Sequence, residues 1–490
     1  MLRLHLGPPM TTFDFSSSDL KNYPHFDSPI SLREIRKLVT CKTRVASNTF
    51  FPFMRYEEGW QPYREKGAAK PDRKSRPIRY GARRDAYIFT HYRRQLSKLY
   101  EERLVTLGIS DCPIAYRKIR KPGQSGGKCN IDFAKDAFNE IDRIGNCVAI
   151  ALDISKFFEH LDHARIKEIW CDLLGVARLP EDHFAVFKNV TDYRFVDQRE
   201  VYRRLGFFGP KVVNGKSIEG FLQPFEDIPK KLCTMQEFRQ KICGYGGVYT
   251  SLIQKNQGCY GIPQGSPISD LIANFYLIDF DLSLANYARS LGGCYMRYSD
   301  DILLILPGGE AAASAAADFA VQEITKQGNK LRIKNEKTCI VQYERDGQKL
   351  RFKHLSGPQG SGGLEYLGFR YDGRKVYIRE STVSRLYRKI SSAINQAAHR
   401  HAEKNPSLPA ADLIKTDSLL LSRFMRQKKE KLTDDHRTWT FYSYILRASS
   451  VFGVKGDRIF KQVDSFEAIM RRRVAAALVR AVSRRKPTAP

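Results

Sequence analysis

Tyr298-Ser299-Asp300-Asp301 lies between two apolar runs, Cys294-Tyr295-Met296 before it and Ile302-Leu303-Leu304-Ile305-Leu306 after it. The pattern reads as a β-hairpin with paired aspartates at its tip. Adjacent carboxylates are costly to keep ionised side by side unless a cation shares them, and a turn between strands fixes their direction. A plain acidic turn would look the same, since Asp is a common turn residue.

A third aspartate sharpens the reading. Cys147-Val148-Ala149-Ile150-Ala151-Leu152 is a continuous apolar run that ends at Asp153, followed by Ile154-Ser155-Lys156-Phe157-Phe158. Such a run predicts a strand buried on both faces. The ordinary use of Asp153 would be to cap a helix starting near Ser155. Two-metal phosphoryl transfer needs carboxylates from separate strands converging on ions about 3.5–4 Å apart, and Asp153, Asp300 and Asp301 are candidates for that set.

Between them lies Gln257-Gly258-Cys259-Tyr260-Gly261-Ile262-Pro263-Gln264-Gly265-Ser266-Pro267-Ile268-Ser269, leading into Asp270-Leu271-Ile272-Ala273-Asn274-Phe275. Its glycines permit close backbone approach, and Pro267 suits a helix start. In the order Asp153, Gln264-Gly265-Ser266-Pro267, Tyr298-Ser299-Asp300-Asp301, the three segments resemble motifs A, B and C of reverse transcriptases. Asn335-Glu336-Lys337-Thr338 resembles motif D, and Tyr366-Leu367-Gly368-Phe369 resembles motif E, the primer-grip turn. Arg76-Pro77-Ile78 with Arg83-Arg84-Asp85 is similar to the first fingers motif of the bacterial enzymes; Tyr116-Arg117-Lys118 and Gly126-Gly127-Lys128-Cys129-Asn130-Ile131 are similar to the second.

The resemblance implies an α+β right-hand polymerase: an N-terminal extension over 1–70, fingers over 71–146, a palm over 147–380 with an insertion at about 190–249, and a basic α-helical thumb over 381–490. It implies an RNA-directed DNA polymerase that joins dNTPs on an RNA template, which includes a dedicated non-coding RNA, and releases a DNA product. Two Mg²⁺ ions, or Mn²⁺ in their place, would be held by Asp153, the Ile154 backbone, Asp300 and Asp301, with Lys337 as a proton donor or charge partner for pyrophosphate. Arg76, with Lys74 and Lys128, would meet the triphosphate, because a guanidinium fork spans two phosphate oxygens. Gln264 and Gly265 would lie over the nucleotide, and Phe158 would sit beneath the sugar as a steric gate against ribonucleotides. Two other readings stay open: a palm that copies RNA into RNA, and a catalytically silent RNA-binding scaffold.

The subgroup is narrowed by elimination. The NAxxH and VTG sequences typical of retron enzymes do not occur, Val190-Thr191-Asp192 being the nearest, and no cysteine follows Cys339 to build a zinc-containing endonuclease. What remains resembles the unassigned bacterial reverse transcriptases of antiphage defence.

Charge agrees with a polyanionic partner. The 490 residues carry a net +29, and the stretch from Ser381 to Pro490 holds 23 Lys and Arg against 9 Asp and Glu, nearly half of that excess. There, Val383, Leu386, Ile390, Ile394 and Ala397 predict an amphipathic helix with Arg385, Arg388, Lys389 and Arg400 off the apolar stripe. Arg471-Arg472-Arg473 and Arg484-Arg485-Lys486 bracket a further helix that offers itself to nucleic acid or to a second subunit of a homo-oligomer. Ten cysteines without a CxxC pair read as reduced thiols in a cytoplasmic protein. His160 and His163 share a helical spacing but lack a third ligand for zinc. No apolar run reaches the ~20 residues that cross a bilayer, so no membrane is expected, and Met1 to Pro9 is broken too early by proline for a secretory signal.

Overall fold

The apolar run that ends at Asp153 forms strand β3 (Cys147–Asp153), the middle of a five-stranded antiparallel sheet. The order is β11 (Lys349–Ser356), β10 (Cys339–Asp346), β3, β9 (Asp301–Pro307), β8 (Cys294–Tyr298). A computed structural model describes residues 15–62, 71–121, 123, 126–213, 215–357, 362–409, 411–413 and 441–484. The signal reading of Met1 to Pro9, the turn residues Pro358 to Ser361, the stretch 414–440, and Arg485 and Lys486 lie outside the described residues.

Both faces of this sheet are covered at β3 and β9, which is why these two strands read as continuous apolar runs rather than alternating ones. Val148, Ile150 and Leu152 of β3, with Ile302, Leu304 and Leu306 of β9, join one core beneath the helices Ser269–Tyr276, Ile278–Ser290 and Glu310–Lys326. Cys147, Ala149, Leu303 and Ile305 point the other way, into a second core with the helices Asn130–Ile144 and Phe441–Phe452. That second core also takes in a small sheet of β12 (Leu364–Tyr366), β13 (Phe369–Tyr371) and β14 (Val376–Ile378). The fold is therefore α+β, as the sequence predicts, with helices and largely antiparallel sheets.

A second sheet lies on the fingers side, in the order β2 (Lys74–Tyr80), β1 (Phe53–Trp60), β4 (Arg194–Asp197), β7 (Gln254–Lys255). The boundary expected at residue 70 falls between two paired strands of this sheet. β1 pairs with β2 from Met54 opposite Tyr80 to Trp60 opposite Lys74, so the boundary would cut a continuous hydrogen-bonded ladder. The preceding residues are anchored too: the buried Arg83 donates to the Tyr23 carbonyl at 2.9 Å and pairs with Asp27, and Asp85 accepts from the Phe51 backbone N–H at 2.9 Å and from Asn48. The Arg83-Arg84-Asp85 motif thus fastens the N-terminal segment. The stretch expected as an insertion contributes β4 to this same sheet, and it adds a hairpin, β5 (Phe208–Val213) and β6 (Lys216–Phe221).

At the C-terminal end, helices Glu380–Lys404 and Phe466–Ser483 pack through Ile390, Ile394, Ala398 and Ala402 against Met470, Val474 and Leu478. The stripe follows Ala398 rather than Ala397, as a strict four-residue step from Ile394 requires, and Arg385, Arg388, Lys389 and Arg400 are exposed as expected. The helix Phe441–Phe452 belongs elsewhere: Ile445, Ala448 and Phe452 complete the second core of the large sheet.

One buried ion pair links these parts. Arg297 of β8 and Asp281 of the helix Ile278–Ser290 are both wholly inaccessible, and two guanidinium nitrogens reach the carboxylate at 2.6 Å each. Tyr295 donates to the same carboxylate at 2.7 Å, and Arg297 also donates to the Asn274 and Ser299 carbonyls. Removing one partner strands a charge in the core, so Arg297→Met should lower stability by about 3–5 kcal/mol in urea denaturation. The double variant Arg297→Met, Asp281→Leu should recover much of that loss; an equal or larger loss in the double variant would contradict this assignment.

Candidate active site

The register of the large sheet sets the site. Asp153 at the end of β3 stands opposite Asp301 at the start of β9, and Tyr298 of β8 pairs with Asp301 from the other side. Ile154 N–H then donates to the Asp300 carbonyl at 3.1 Å, which brings the hairpin tip against the end of β3. The three aspartates are thus brought together by backbone pairing alone. Ser299, between them, takes a left-handed conformation with φ of 62°. A non-glycine residue there stores strain that its surroundings must hold, and Arg297 does so by donating to the Ser299 carbonyl at 3.1 Å.

A third segment closes the site. Lys334 N–H donates to the Asp153 carbonyl at 2.9 Å and Ser155 N–H to the Arg332 carbonyl at 2.8 Å, so the chain before the 3₁₀ turn Asn335–Lys337 runs alongside the end of β3. In consequence Lys334 Nζ lies 2.7 Å from one Asp153 oxygen and Lys337 Nζ lies 2.8 Å from the other. The helix-cap role for Asp153 is not adopted; the short helix begins at Phe157, with Lys156 before it.

Electrostatics follow from this crowding. Burial raises the Asp300 carboxyl above its usual range, against a hydrogen bond from its own backbone, and Asp153 adds to the rise. Asp301 is open to solvent on one side, yet the protein packed round it, together with Asp300 and Asp153, pushes its carboxyl to about 7. Burial works against the charge of Lys337, but its hydrogen bond to Asp153 and the charges of Asp153 and Asp300 outweigh that, holding the ammonium above its usual value. Among the described residues no three Asp, Glu, His or Cys side chains stand as a ready-made metal-ligand set. The donor chemistry nevertheless fits hard divalent cations. The charge of Asp153 raises the carboxyls of Asp300 and Asp301, and that of Asp300 raises Asp301 further, as happens where a cation would relieve crowded carboxylates, while two ammonium groups already pair with Asp153.

The Gly-rich segment is fixed from the fingers side. Arg79 N–H of β2 donates to the Gln264 carbonyl at 2.7 Å. Gly265 has φ of 111°, and a Cβ there would come within 2.9 Å of the Arg79 carbonyl oxygen and the Ile78 side chain, so only glycine fits. Pro267 precedes the helix Ser269–Tyr276 by two residues. Arg76, three residues before Arg79 on the same strand, pairs with Glu58 at 2.7 Å and lies 5.8 Å over the Trp60 ring. Lys74 stands opposite Trp60 at the outer end of β2. Phe158 is half-buried, its ring 5.7 Å from that of Phe157 and its carbonyl accepting from Ile262 N–H.

Lys128 is not brought to the aspartates. It pairs with Asp136 at 2.7 Å in a cleft shared with Arg143 and Arg289, toward the Cys294 end of β8. Conversely, Lys334 and Arg297 bear on the site and were not singled out in the sequence. The signal for Arg297 was a charged residue interrupting an apolar strand; the signal for Lys334 was a second lysine three residues before Lys337. Arg379, whose charge bears on Asp301 and which pairs with Glu365 at 2.5 Å, follows the motif E turn and carries no comparable signal.

Comparison with known proteins agrees with the motif order. The family model described as reverse transcriptase (RNA-dependent DNA polymerase) matches residues 227–371, so the chain carries such a domain. The match takes in Gln264, Asp300, Asp301 and Lys337, while Asp153 lies before it and joins the site through strand pairing. Among solved structures, telomerase from Candida albicans in complex with the TWJ fragment of telomeric RNA is similar at 10% identity, covering 91% of this chain and 66% of that one, with a TM-score of 0.37. Apo telomerase from Candida tropicalis is similar at 12% identity, 86% and 65% coverage, and a TM-score of 0.34. The chain spans less than two thirds of the length of these proteins.

The lysine pair generates a prediction. Cations entering the carboxylate site must compete with Lys334 and Lys337 for Asp153, so replacing both with Met should lower the thermal midpoint without metal and enlarge the rise that Mg²⁺ produces. A scanning-fluorimetry titration from zero to tens of millimolar Mg²⁺ reads this directly. A Mg²⁺-induced rise no larger than that of the unmodified chain would contradict the competition.

Proposed function

We propose that the chain is an RNA-directed DNA polymerase that extends a 3′-hydroxyl with dNTPs. The observation that carries this is the pairing of Asp153 with Asp301 across β3 and β9, with Asp300 at the adjoining tip, in a chain whose 227–371 segment matches the reverse transcriptase family. In the reaction the 3′-oxygen forms a bond to the α-phosphorus, the bond from that phosphorus to the bridging oxygen breaks, and pyrophosphate leaves. Asp153, the Ile154 backbone, Asp300 and Asp301 would hold two Mg²⁺ ions, or Mn²⁺, whose charge would acidify the 3′-hydroxyl and neutralise the leaving group.

The remaining work falls to the chain's own groups. Lys337, kept charged by Asp153, bears a proton at Nζ for the departing pyrophosphate. Arg76 and Lys74 on β2 meet the triphosphate; Arg76 must exchange Glu58 for phosphate oxygens, a trade open to an exposed guanidinium. Lys128, held by Asp136 in another cleft, has no part in this assignment. Gln264 and Gly265 form the surface over the nucleotide, held to β2 by the bond from Arg79.

The finer setting belongs to the same proposal. The template is RNA, with a dedicated non-coding RNA as the specific case, and the basic C-terminal helices hold it chiefly through phosphates. Antiphage defence rests on the resemblance of the motifs alone. A cytoplasmic location is supported by ten cysteines that all stand as free thiols. Among the described residues no helix is long and apolar enough to cross a membrane.

The test is incorporation of labelled dNTPs on an RNA template with Mg²⁺. Asp153→Ala, or Asp300→Ala with Asp301→Ala, should reduce the rate by at least about a thousand-fold, since each removes ligands for the cations whose charge the transition state requires. Near-normal incorporation in either variant would refute the assignment. Sugar choice gives a second prediction. If the Phe158 ring lies beneath the sugar, its apolar face offers a 2′-hydroxyl no hydrogen bond for the water it loses. Phe158→Val should then narrow the ratio of dNTP to rNTP efficiencies roughly ten-fold or more; an unchanged ratio with lower overall activity would make the ring a packing residue only.

A further inference from the structure

Residues 198–255 build a small core of their own, in which Tyr202, Ile228, Leu232, Phe238 and Ile242 pack against Met54 of β1. On its outer side the sequence Gly244-Tyr245-Gly246-Gly247-Val248-Tyr249 is presented to solvent, with Tyr245 76%, Val248 82% and Tyr249 39% exposed. Large apolar side chains this open, three within five residues, need a reason.

The loop is tightly specified. Gly244, Gly246 and Gly247 all have positive φ, from 75° to 86°. A Cβ on Gly244 would come within 2.7 Å of the Tyr249 carbonyl oxygen. Tyr245 N–H donates to the Arg239 carbonyl at 2.9 Å, and Leu252 N–H to the Ile242 carbonyl at 2.9 Å, closing the base of the loop. Arg204 spans that base, donating to the carbonyls of Lys241 and Thr250 at 2.8 Å each, and its guanidinium lies 5.4 Å over the Tyr249 ring. The preceding turn, Phe238–Ile242, is a π-helix, a feature frequent at functional sites. The backbone is therefore ordered in advance, and what it holds out is the Tyr245 ring between two glycines, with Val248 and Tyr249 beyond them.

Charge narrows the choice of partner. Residues 198–255 carry ten Lys and Arg against five Asp and Glu. Arg204 lies over the Tyr249 ring, and the exposed Arg239 is joined to Tyr245 through its backbone carbonyl. Exposed rings, one of them backed by a guanidinium, on a tightly specified loop suit stacked bases and phosphates better than the aliphatic surface of a protein partner. We propose that Tyr245 and Tyr249, with Arg204 and Arg239, form a stacking platform for single-stranded nucleic acid, separate from the aspartate site. From the loop, β7 returns the chain to the fingers-side sheet, whose β2 holds the Gly-rich segment of the site. The platform extends the polymerase reading by giving the unpaired strand a surface on that side, and it rests on that reading only for the presence of such a strand.

The experiment measures fluorescence anisotropy of a fluorescein-labelled 20-nucleotide oligouridylate with the full chain, without dNTPs. Tyr245→Ala with Tyr249→Ala should weaken binding about ten-fold or more, with an unchanged thermal midpoint because both side chains lie at the surface. Tyr245→Phe with Tyr249→Phe should stay within about two-fold of the unmodified chain. Alanine variants that bind within about two-fold overturn the proposal, and so do phenylalanine variants that lose as much as alanine. Unchanged RNA affinity with loss of a self-associated species in sedimentation would also overturn it, and would make the loop an interface between copies. The variant Asp300→Ala with Asp301→Ala should bind the oligonucleotide normally, so failure of the polymerase reading shows in incorporation and failure of the platform shows in anisotropy.

Discussion

The pairing of β3 with β9 is the constraint on which the site depends. Side chains alternate faces along a strand, so a slip of one residue would turn Val148, Ile150 and Leu152 from one core into the other. Because both faces are packed, no slip is tolerated, and the register that satisfies two cores also sets Asp153 opposite Asp301. Carboxylates so placed repel, as the raised Asp300 and Asp301 show. The fold sustains that repulsion with elements that cannot move away: the buried Arg297 pinning the hairpin tip, and Lys334 with Lys337 drawn to Asp153 by the strand-like segment beside β3.

The fingers side is coupled to the same site by backbone contact. β2 meets the Gly-rich segment through the Arg79 to Gln264 bond and through the space that only a glycine at 265 leaves. β2 in turn is one strand of a sheet gathered from three distant stretches, around residues 53–80, 194–197 and 254–255. A nucleotide bound between Arg76 and the aspartates would therefore bear on a sheet that also carries the segment with the exposed tyrosine loop.

Much of this was legible in the sequence where chemistry and local pattern coincide. The hairpin tip, the buried strand ending in Asp153 and the glycine turn are each short-range signals, and their order along the chain identified the domain. What escaped was long-range. Asp281 reads as one more helix aspartate until Arg297, sixteen positions on, is folded against it. Arg76 and Lys128 read as free cations, whereas pairing across strands gives one Glu58 and helix geometry gives the other Asp136. The division near residue 70 is of the same kind: it stands between β1 and β2, whose pairing no local composition announces. The spacing of Lys334 from Lys337 was there to see, but its place on Asp153 became visible only when the backbone bonds beside β3 were known.

The most direct test of the account is a crystal of the chain with a 3′-deoxy primer on an RNA template, an incoming dNTP and Mn²⁺, examined by anomalous scattering. The account predicts anomalous peaks within bonding distance of carboxylate oxygens of Asp153 and Asp301, with Lys334 and Lys337 withdrawn from at least one Asp153 oxygen. Bound nucleotide with both lysines still on Asp153 and no anomalous peak at the three aspartates would contradict it.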